Sequence, residues 1–455
     1  MRLFRFLLLF ILSTQFVVAQ DAIIPDDYKD YIKARVDKGI NPSISMAYIV
    51  GDAVEFYNYG KTQLNDGESV DKHSVYEIGS ISKVFTTILL ADEILKGKMK
   101  LSDPIQDYLP ESVTVPVRND KVITLKDLAT HTSGLPRMPG NFKPADLKNP
   151  FADYSVKQLY DFLSNYELPR DIGSQYEYSN LGMGLLGHIL ELHTGKTYES
   201  LVVNRIAKPL DMADTQIEFT DKMKSHLAIG HNEQLETTSN WDITTLAGAG
   251  AIRSTTSDMV KFVKANLTDD GSDLYKAMAL SHKIAYTNDA KTFNIGLGWH
   301  YSNGDSIVWH NGGTGGYRAF SGFLKDSNKG VVVFTNSTFS VDNIGLKILG
   351  QPLELKIPEK RVYPEVVVLS NDILDSYVGK YQLTPQFFIT VSRKDNQLVA
   401  QATGQPEFEI FPSADNEFFL KVVEASITFN KDEAGNIVSM TLHQNGQDVP
   451  GKKIE

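Results

Sequence analysis

A serine and a lysine stand three residues apart at the head of a strongly apolar segment. The segment VFTTILLADEIL follows directly after Ser80-Ile81-Ser82-Lys83, and its apolar residues recur at intervals of three and four up to Gly97. This spacing predicts a buried helix that carries Ser80 in its first turn. Because residues three apart share a helix face, with Cβ atoms about 5–6 Å apart, the Lys83 amine can reach the Ser80 hydroxyl. The pair is a candidate nucleophile with its activating group, although the same four residues, taken alone, are more often a helix N-cap followed by a solvated lysine.

A second polar pair, Tyr178 and Asn180, precedes another apolar helix pattern. A tyrosine with an ordinary pKa of about 10 is a poor base at neutral pH, but a nearby ammonium group such as that of Lys83 stabilises the phenolate. The alternative is a packed tyrosine followed by an asparagine N-cap. The presence of Ser80 and Lys83 favours a role in proton transfer.

The third motif is the glycine-rich segment WHNGGTGGY at residues 309–317. Glycines in a strand often mark the close approach of a ligand or of another backbone. A main-chain N–H group here, beside the N–H of Ser80, could form an oxyanion hole. A flexible turn is the alternative interpretation.

Together these motifs resemble those of the class C serine β-lactamases, the DD-peptidases and related esterases. Residues 77–83 (EIGSISK) resemble the nucleophile motif, and residues 178–180 (YSN) resemble the Y-x-N motif. Residues 310–312 (HNG) resemble the lysine-threonine-glycine motif in the H-x-G form that some DD-peptidases carry. LATHTSGLP at 128–136 and GAGAIRS at 248–254 are similar to further family signatures. The resemblance extends from about residue 24 to residue 349.

By this resemblance the chain is a covalent serine hydrolase. Ser80 would be the nucleophile, Lys83 its activating partner and Tyr178 a proton shuttle. The backbone N–H groups of Ser80 and Gly313 would bind the oxyanion. Whether Lys83 or Tyr178 is the base is left open by the order of the residues.

The resemblance also implies the residues that bind substrate. Asn180 would hold the amide on the acyl side, and a strand edging the site would carry His310, Asn311, Gly312 and Gly313. His310 and Asn311 stand where many class C β-lactamases have lysine and threonine. Weaker binding of a β-lactam carboxylate is therefore expected. Because the ordinary pKa of histidine is about 6.5, the charge of His310 can change within the physiological range if this residue helps to orient an anionic substrate; a purely structural strand residue is the alternative.

Several substrates remain open: a D-amino-acid peptide, a small ester, another amide or a β-lactam. A non-catalytic sensor of β-lactams or peptidoglycan fragments is the alternative function, and the intact Ser80, Lys83 and Tyr178 argue against it. No cofactor is expected. The chain has no cysteine and ten scattered histidines without an H-E-x-x-H pattern, so no metal site is expected either.

The N-terminus indicates export. Residues 1–19 carry Arg2 and Arg5, then an apolar stretch, and end on Ala19, as a secretory signal peptide does. No later segment reaches the roughly 20 apolar residues of a membrane span, so a soluble periplasmic or extracellular protein is expected. The chain has 45 basic and 56 acidic residues, which argues against a nucleic-acid partner. The sequence gives no indication of oligomeric state.

The distribution of strand and helix patterns predicts an α/β hydrolase domain over residues 20–350. Strand patterns lie near both ends of this region and helical patterns dominate its middle, which predicts one antiparallel sheet flanked by helices, with a mainly helical subdomain. This is the β-lactamase/transpeptidase-like fold that the family resemblance implies. The predicted strands cover residues 43–50, 53–59, 306–310, 316–324 and 330–336.

A proline-containing linker is predicted at residues 351–368, followed by a small all-β, barrel-like domain at residues 369–455. In this last region short runs of alternating apolar and polar residues are separated by turn signals. The predicted strands there cover residues 387–391, 397–402, 418–422, 426–429 and 437–442. No catalytic motif falls in this domain.

Overall fold

The computed structural model describes residues 21–359, 362–405, 407–444 and 446–454. The predicted signal peptide, residues 1–19, lies outside the described residues. Within the described part of the chain, no helix has both the length and the apolar character needed to cross a membrane.

An eight-stranded antiparallel sheet is the centre of the first domain. Its strand order is β2-β1-β10-β9-β8-β7-β6-β5, so segments far apart in the chain are neighbours, as the sequence predicted. The strands are β1 (Ser43–Val50), β2 (Ala53–Gly60), β5 (Tyr286–Thr287), β6 (Asn294–Ile295), β7 (His300–Ser302), β8 (Ile307–Gly313), β9 (Arg318–Leu324) and β10 (Lys329–Thr335). A separate pair is formed by β3 (Val75–Glu77) and β4 (Arg253–Thr255).

Helices cover both faces of this sheet, because its central strands are apolar on both sides. Along β1, Ala47 and Ile49 belong to the core under the nucleophile helix, whereas Ile44 and Met46 belong to the core under the N-terminal helix. The helices of the domain are α1 (Asp26–Asp37), α2 (Ser82–Leu95), α3 (Leu125–Ala129), α4 (Val156–Asn165), α5 (Asn180–Thr194), α6 (Tyr198–Val202), α7 (Asp221–Ser225), α8 (Thr256–Leu267), α9 (Asp273–Ser281) and α10 (Asp342–Ile348).

The nucleophile helix α2 is buried on all sides. The continuous stretch from Ser82 to Ala91 is buried, and Phe85 stacks on Phe262 of α8 with ring centres 4.4 Å apart. A helix with so little solvent contact is a fixed platform for the residues at its N-terminal end.

The second domain is a closed barrel of eight antiparallel strands, which confirms the predicted barrel. It follows the short helix α11 (Asn371–Ser376), and its strands are β11 (Gly379–Thr384), β12 (Phe387–Lys394), β13 (Gln397–Ala402), β14 (Glu407–Pro412), β15 (Glu417–Leu420), β16 (Ala425–Lys431), β17 (Ile437–Gln444) and β18 (Gln447–Lys453). The sequence patterns do not predict β11, β14 and β18. The last of these contains Pro450 and Gly451, which weaken a strand pattern, and it is held by pairing with β11 and β17.

Described residues of the segment between the domains contact both domains. Leu355 and Ile357 pack against the core that contains α1, and the Tyr31 hydroxyl donates to the Lys356 carbonyl oxygen at 2.7 Å. Farther on, the Tyr363 hydroxyl lies 2.9 Å from Glu233 Oε2 and 3.1 Å from the Lys421 carbonyl oxygen. This hydroxyl therefore joins a loop of the first domain to the barrel.

Candidate active site

Ser80 lies in a tight turn between β3 and α2. The turn is the 3-10 helix Gly79–Ile81, and Gly79 has a φ of +51°, which favours glycine. The glycine-rich end of β8 lies directly against it: a Cβ at Gly312 would be 1.9 Å from the Ile78 carbonyl oxygen, and one at Gly79 would be 2.6 Å from the Gly313 nitrogen. The first contact explains Gly312 of the third motif, since only glycine permits two backbones to approach so closely.

Lys83 is completely buried, and its amine has three neighbours. Its Nζ lies 3.0 Å from Ser80 Oγ, 2.9 Å from Asn180 Oδ1 and 2.6 Å from the Ala249 carbonyl oxygen. Burial, followed by the positive charge of Arg137, holds the pKa of Lys83 well below its usual range.

Three oxygens, those of Ser80, Asn180 and Ala249, lie within hydrogen-bond distance of the amine. A protonated lysine would donate to all three, whereas a neutral lysine could donate to two of them and accept from the Ser80 hydroxyl.

Tyr178 lies between several positive or aromatic groups. Its ring stacks on His131 with centres 4.6 Å apart, Lys83 Nζ is 4.7 Å from the ring centre and Arg137 Cζ is 5.1 Å from it. Desolvation raises the pKa of Tyr178 to about 12, although a hydrogen bond with Ser80 and the charge of Arg137 act in the opposite direction. At neutral pH the hydroxyl therefore keeps its proton, which suits a proton donor better than a base.

His131 holds the loop that carries Tyr178. Its Nδ1 accepts a hydrogen bond from the Ser179 backbone at 3.1 Å, and its carbonyl oxygen accepts one from the Glu177 backbone at 2.8 Å. His131 lies inside the signature LATHTSGLP, and Arg137 directly follows it. The sequence pattern alone predicts no role for either residue.

Asn180 begins α5 and connects several parts of the cleft. Its Oδ1 accepts from Lys83, its Nδ2 lies 3.7 Å from the sulfur of Met138, and its backbone N–H donates to the Arg137 carbonyl oxygen at 3.0 Å. The structure therefore places this residue of the second motif in direct contact with the first.

His310 faces the cleft but is fully buried. Its ring centre is 4.9 Å from that of His300 and 6.4 Å from that of Tyr178. Burial, then His300 and Lys83, hold the pKa of His310 well below its usual range, and the pKa of His300 falls to about 4 for similar reasons. The expectation that His310 changes charge near neutral pH is therefore not supported, since the buried ring is neutral there.

Asn311 points away from the cleft, because successive strand residues face opposite sides of a sheet. Its Nδ2 donates to Asp342 Oδ2 on α10 at 2.7 Å. The structure thus brings Ser80, Lys83, Tyr178 and the other candidates together but leaves the side chain of Asn311 outside the cleft. Its backbone remains part of the strand beside the nucleophile.

No group of three or more histidine or acidic side chains is arranged to hold a metal ion among the described residues. The site consists of a hydroxyl, an amine, a phenol and closely spaced backbone groups. Such a set can perform acyl transfer through a covalent serine intermediate.

Comparison with known proteins identifies the family of the first domain. A family model described as beta-lactamase matches residues 29–349. The chain belongs to the beta-lactamase family. A second model, described as a domain of unknown function (DUF3471), matches residues 364–453.

Two characterised relatives and one crystal structure show the range of this family. Penicillin-binding protein 4* of Bacillus subtilis (strain 168) is 27% identical over 431 residues, which cover 88% of this chain and 92% of that protein. The D-alanyl-D-alanine-carboxypeptidase/endopeptidase AmpH of Escherichia coli (strain K12) is 30% identical over 311 residues, covering 65% of this chain and 79% of AmpH. The crystal structure of a beta-lactamase/D-alanine carboxypeptidase from Yersinia pestis complexed with citrate has a TM-score of 0.60 and 24% identity, covering 71% of this chain and 97% of that chain.

These findings confirm the family and the fold class that the sequence predicted. The protein is a serine hydrolase of the beta-lactamase family with an added C-terminal barrel.

Proposed function

We propose that this protein is an exported hydrolase that cleaves an amide or ester bond of a peptide-like substrate through an acyl-enzyme on Ser80. The contact between the Lys83 amine and Ser80 Oγ, 3.0 Å long and buried, carries this proposal. A lysine whose pKa is lowered by burial can accept the serine proton at neutral pH, which an ordinary solvated lysine cannot do.

The acylation step uses each of the clustered groups. Ser80 Oγ forms a bond to the carbonyl carbon while its proton passes to Lys83 Nζ, and the backbone N–H groups of Ser80 and Gly313 bind the resulting oxyanion. The bond to the leaving amine or alcohol then breaks. The leaving group takes a proton from the Tyr178 hydroxyl, and Lys83 returns its proton to Tyr178.

Water completes the reaction. It attacks the acyl carbon while Lys83 accepts one of its protons, and the ester bond to Ser80 breaks as Oγ regains a proton. The products are a carboxylic acid and the free enzyme, so the cycle is hydrolytic and needs no cofactor.

D-amino-acid peptides are the first substrate class to test. Relatives of this chain include a D-alanyl-D-alanine carboxypeptidase/endopeptidase, and the residues that carry the proposed chemistry are intact. The lowered pKa of His310 leaves no positive charge on β8 for a substrate carboxylate, which disfavours β-lactams and peptides with a terminal D-alanine carboxylate alike and favours esters with a neutral leaving group.

Purified protein should be assayed against an acyl-D-alanyl peptide, a nitrophenyl ester and a chromogenic cephalosporin, with Ser80→Ala as the control. We expect the fastest turnover with the ester and slower hydrolysis of the peptide and of the cephalosporin, because both of these carry a carboxylate. A stable acyl-enzyme without turnover on any substrate would instead support the sensor function. Activity retained by Ser80→Ala would refute the acyl-enzyme proposal.

A further inference from the structure

A buried ion pair lies close behind the nucleophile turn. Glu77 is the last residue of β3, Arg253 is the first residue of β4, and the two are directly opposite each other in this strand pair. Arg253 Nη2 lies 3.4 Å from Glu77 Oε1, and both side chains are only 4% exposed. Ser80 follows Glu77 in the chain by three residues. Ala249 precedes Arg253 by four residues, and its carbonyl oxygen accepts from Lys83. The ion pair therefore joins two strands whose flanking segments both enter the proposed active site.

The same carboxylate holds a loop against the glycine-rich turn. Glu77 Oε1 accepts from the Trp241 backbone N–H at 2.9 Å and from Asn240 Nδ2 at 3.0 Å. The Trp241 carbonyl oxygen accepts in turn from Arg253 Nη2 at 3.0 Å. The ion pair thus binds both backbone polar groups of Trp241. The indole ring lies directly on the turn after β8, since a Cβ at Gly315 would be 2.8 Å from Trp241 Nε1.

Asn240 extends these contacts to the turn that follows Gly313. Its Nδ2 atom lies 3.0 Å from Glu77 Oε1 and 3.0 Å from the Tyr317 hydroxyl oxygen. An amide NH₂ group has two hydrogens, so it can donate to both oxygens at once. Tyr317 is buried, and its carbonyl oxygen accepts from the Thr314 backbone N–H at 3.1 Å. One asparagine therefore links the end of β3 to the turn that closes the end of β8.

We propose that Glu77 is a positioning residue for the groups that bind the oxyanion. Its contacts hold the segment that carries the Ser80 N–H in a fixed place relative to the segment that carries the Gly313 N–H. Both groups must lie about 2.7–3.1 Å from one developing oxygen. A small displacement of either segment therefore weakens binding of the transition state more than binding of the substrate. The inference rests on the proposed function, because it assigns the support of the same oxyanion site.

A second buried carboxylate provides the matched control. Glu93 is 1% exposed and lies near the end of α2 that is far from Ser80. Its Oε1 atom accepts from Arg205 Nη1, and its Oε2 atom lies 3.1 Å from His193 Nε2. Glu77→Gln and Glu93→Gln therefore make the same substitution in two buried carboxylate–arginine pairs, one beside the oxyanion site and one away from it. Circular dichroism and urea denaturation give the fold and the stability of each variant.

The kinetic readouts are kcat and KM for nitrophenyl acetate and the Ki of phenylboronic acid. A boronic acid forms a tetrahedral adduct with a serine oxygen, so its affinity reports transition-state binding. Loss of one oxyanion donor costs about 100- to 1000-fold in kcat, and a displaced donor costs less. We expect Glu77→Gln to lower kcat about 30-fold, to change KM less than threefold and to raise Ki about 30-fold. Glu93→Gln should leave all three values within threefold of wild type, whatever its stability.

Asn240→Ala gives a second test if Glu77→Gln does not fold. Asn240 is a half-buried loop residue, and its replacement leaves the pair of Glu77 and Arg253 in place. We expect this variant to lower kcat and to raise Ki about fivefold each, again with KM nearly unchanged.

Three results would overturn the proposal. Equal kinetic losses in Glu77→Gln and Glu93→Gln would show that such pairs support only the fold. A loss in Glu77→Gln that appears in KM while Ki stays unchanged would exclude an effect on the oxyanion site. Unchanged kinetics in folded Glu77→Gln, or in Asn240→Ala where Glu77→Gln is unfolded, would show that these contacts do not position it. Failure of the proposed function has a different signature, namely wild-type protein that neither hydrolyses nitrophenyl acetate nor is labelled at Ser80 by a fluorophosphonate.

Discussion

Gly312→Ala tests whether the close approach of β8 to the nucleophile turn sets the catalytic geometry. An alanine Cβ at this position would lie 1.9 Å from the Ile78 carbonyl oxygen, whereas real Cβ contacts essentially never fall below 3.0 Å. The strand and the turn must therefore separate by about 1 Å or more. Because a misplacement of about 1 Å can cost roughly 100-fold in rate, we expect kcat to fall by about that factor.

The assay is the hydrolysis of nitrophenyl acetate, combined with the rate at which a fluorophosphonate labels Ser80. Gly304→Ala is the control within the same hairpin, since a Cβ there meets nothing within 4 Å. Its φ of +65° predicts a stability loss of about 1–2 kcal/mol with kcat retained. If folded Gly312→Ala had a kcat within twofold of wild type, the claim that this backbone contact positions the site would be wrong.

Three further variants separate the roles of the residues around the site. Arg137→Gln removes a positive charge that helps to lower the pKa of Lys83, so this pKa should rise. The acidic limb of the pH profile of kcat/KM should therefore move to higher pH in Arg137→Gln and stay in place in Arg137→Lys, and a limb that does not move in Arg137→Gln would contradict this. Tyr178→Phe should slow hydrolysis of an amide about 100-fold or more, but slow that of a nitrophenyl ester much less, because a nitrophenolate needs no proton to leave; equal losses would exclude Tyr178 as the proton donor. Asn311→Ala should lower the free energy of unfolding by about 1–3 kcal/mol, because it removes one hydrogen bond to the buried carboxylate of Asp342, and kcat on nitrophenyl acetate should change less than threefold. Urea denaturation and steady-state kinetics check both values, and a large fall in kcat without loss of stability would place Asn311 in the site after all.

The contact between Ser80 and Lys83 could be predicted from the sequence, although Ser80 lies in the 3-10 turn Gly79–Ile81 that leads into α2 and not in the first turn of α2 itself. A spacing of three residues at the start of an apolar helix brings two side chains to one face, whatever the rest of the fold is. The positions of β1 and β2 could be predicted for a similar reason, since their patterns are local.

Other features depend on which segments meet in the folded chain. The burial that keeps His310 neutral comes from neighbours such as His300 and Lys83, which lie on other elements. The direction of the Asn311 side chain follows from the register of β8 and from the position of α10. Neither can be derived from a local pattern.

A cavity of about 220 Å³ between the loop of Met138 and the barrel strands β11, β12 and β13 shows this limit most clearly. Its walls come from two domains, and the segment between them gives no sequence signal for how the barrel is placed. The missed strands β11, β14 and β18 have the same explanation, because their pairing in a closed barrel compensates for weak local patterns.

The most direct test of the central claim is the rate of acylation of Ser80 as a function of pH, followed by intact-mass and peptide mapping with a fluorophosphonate. A neutral Lys83 predicts labelling confined to Ser80 that is already fast at pH 7 and declines only on the acidic side. Labelling at another residue, or a rate that rises only toward the ordinary lysine pKa of about 10.4, would contradict the account.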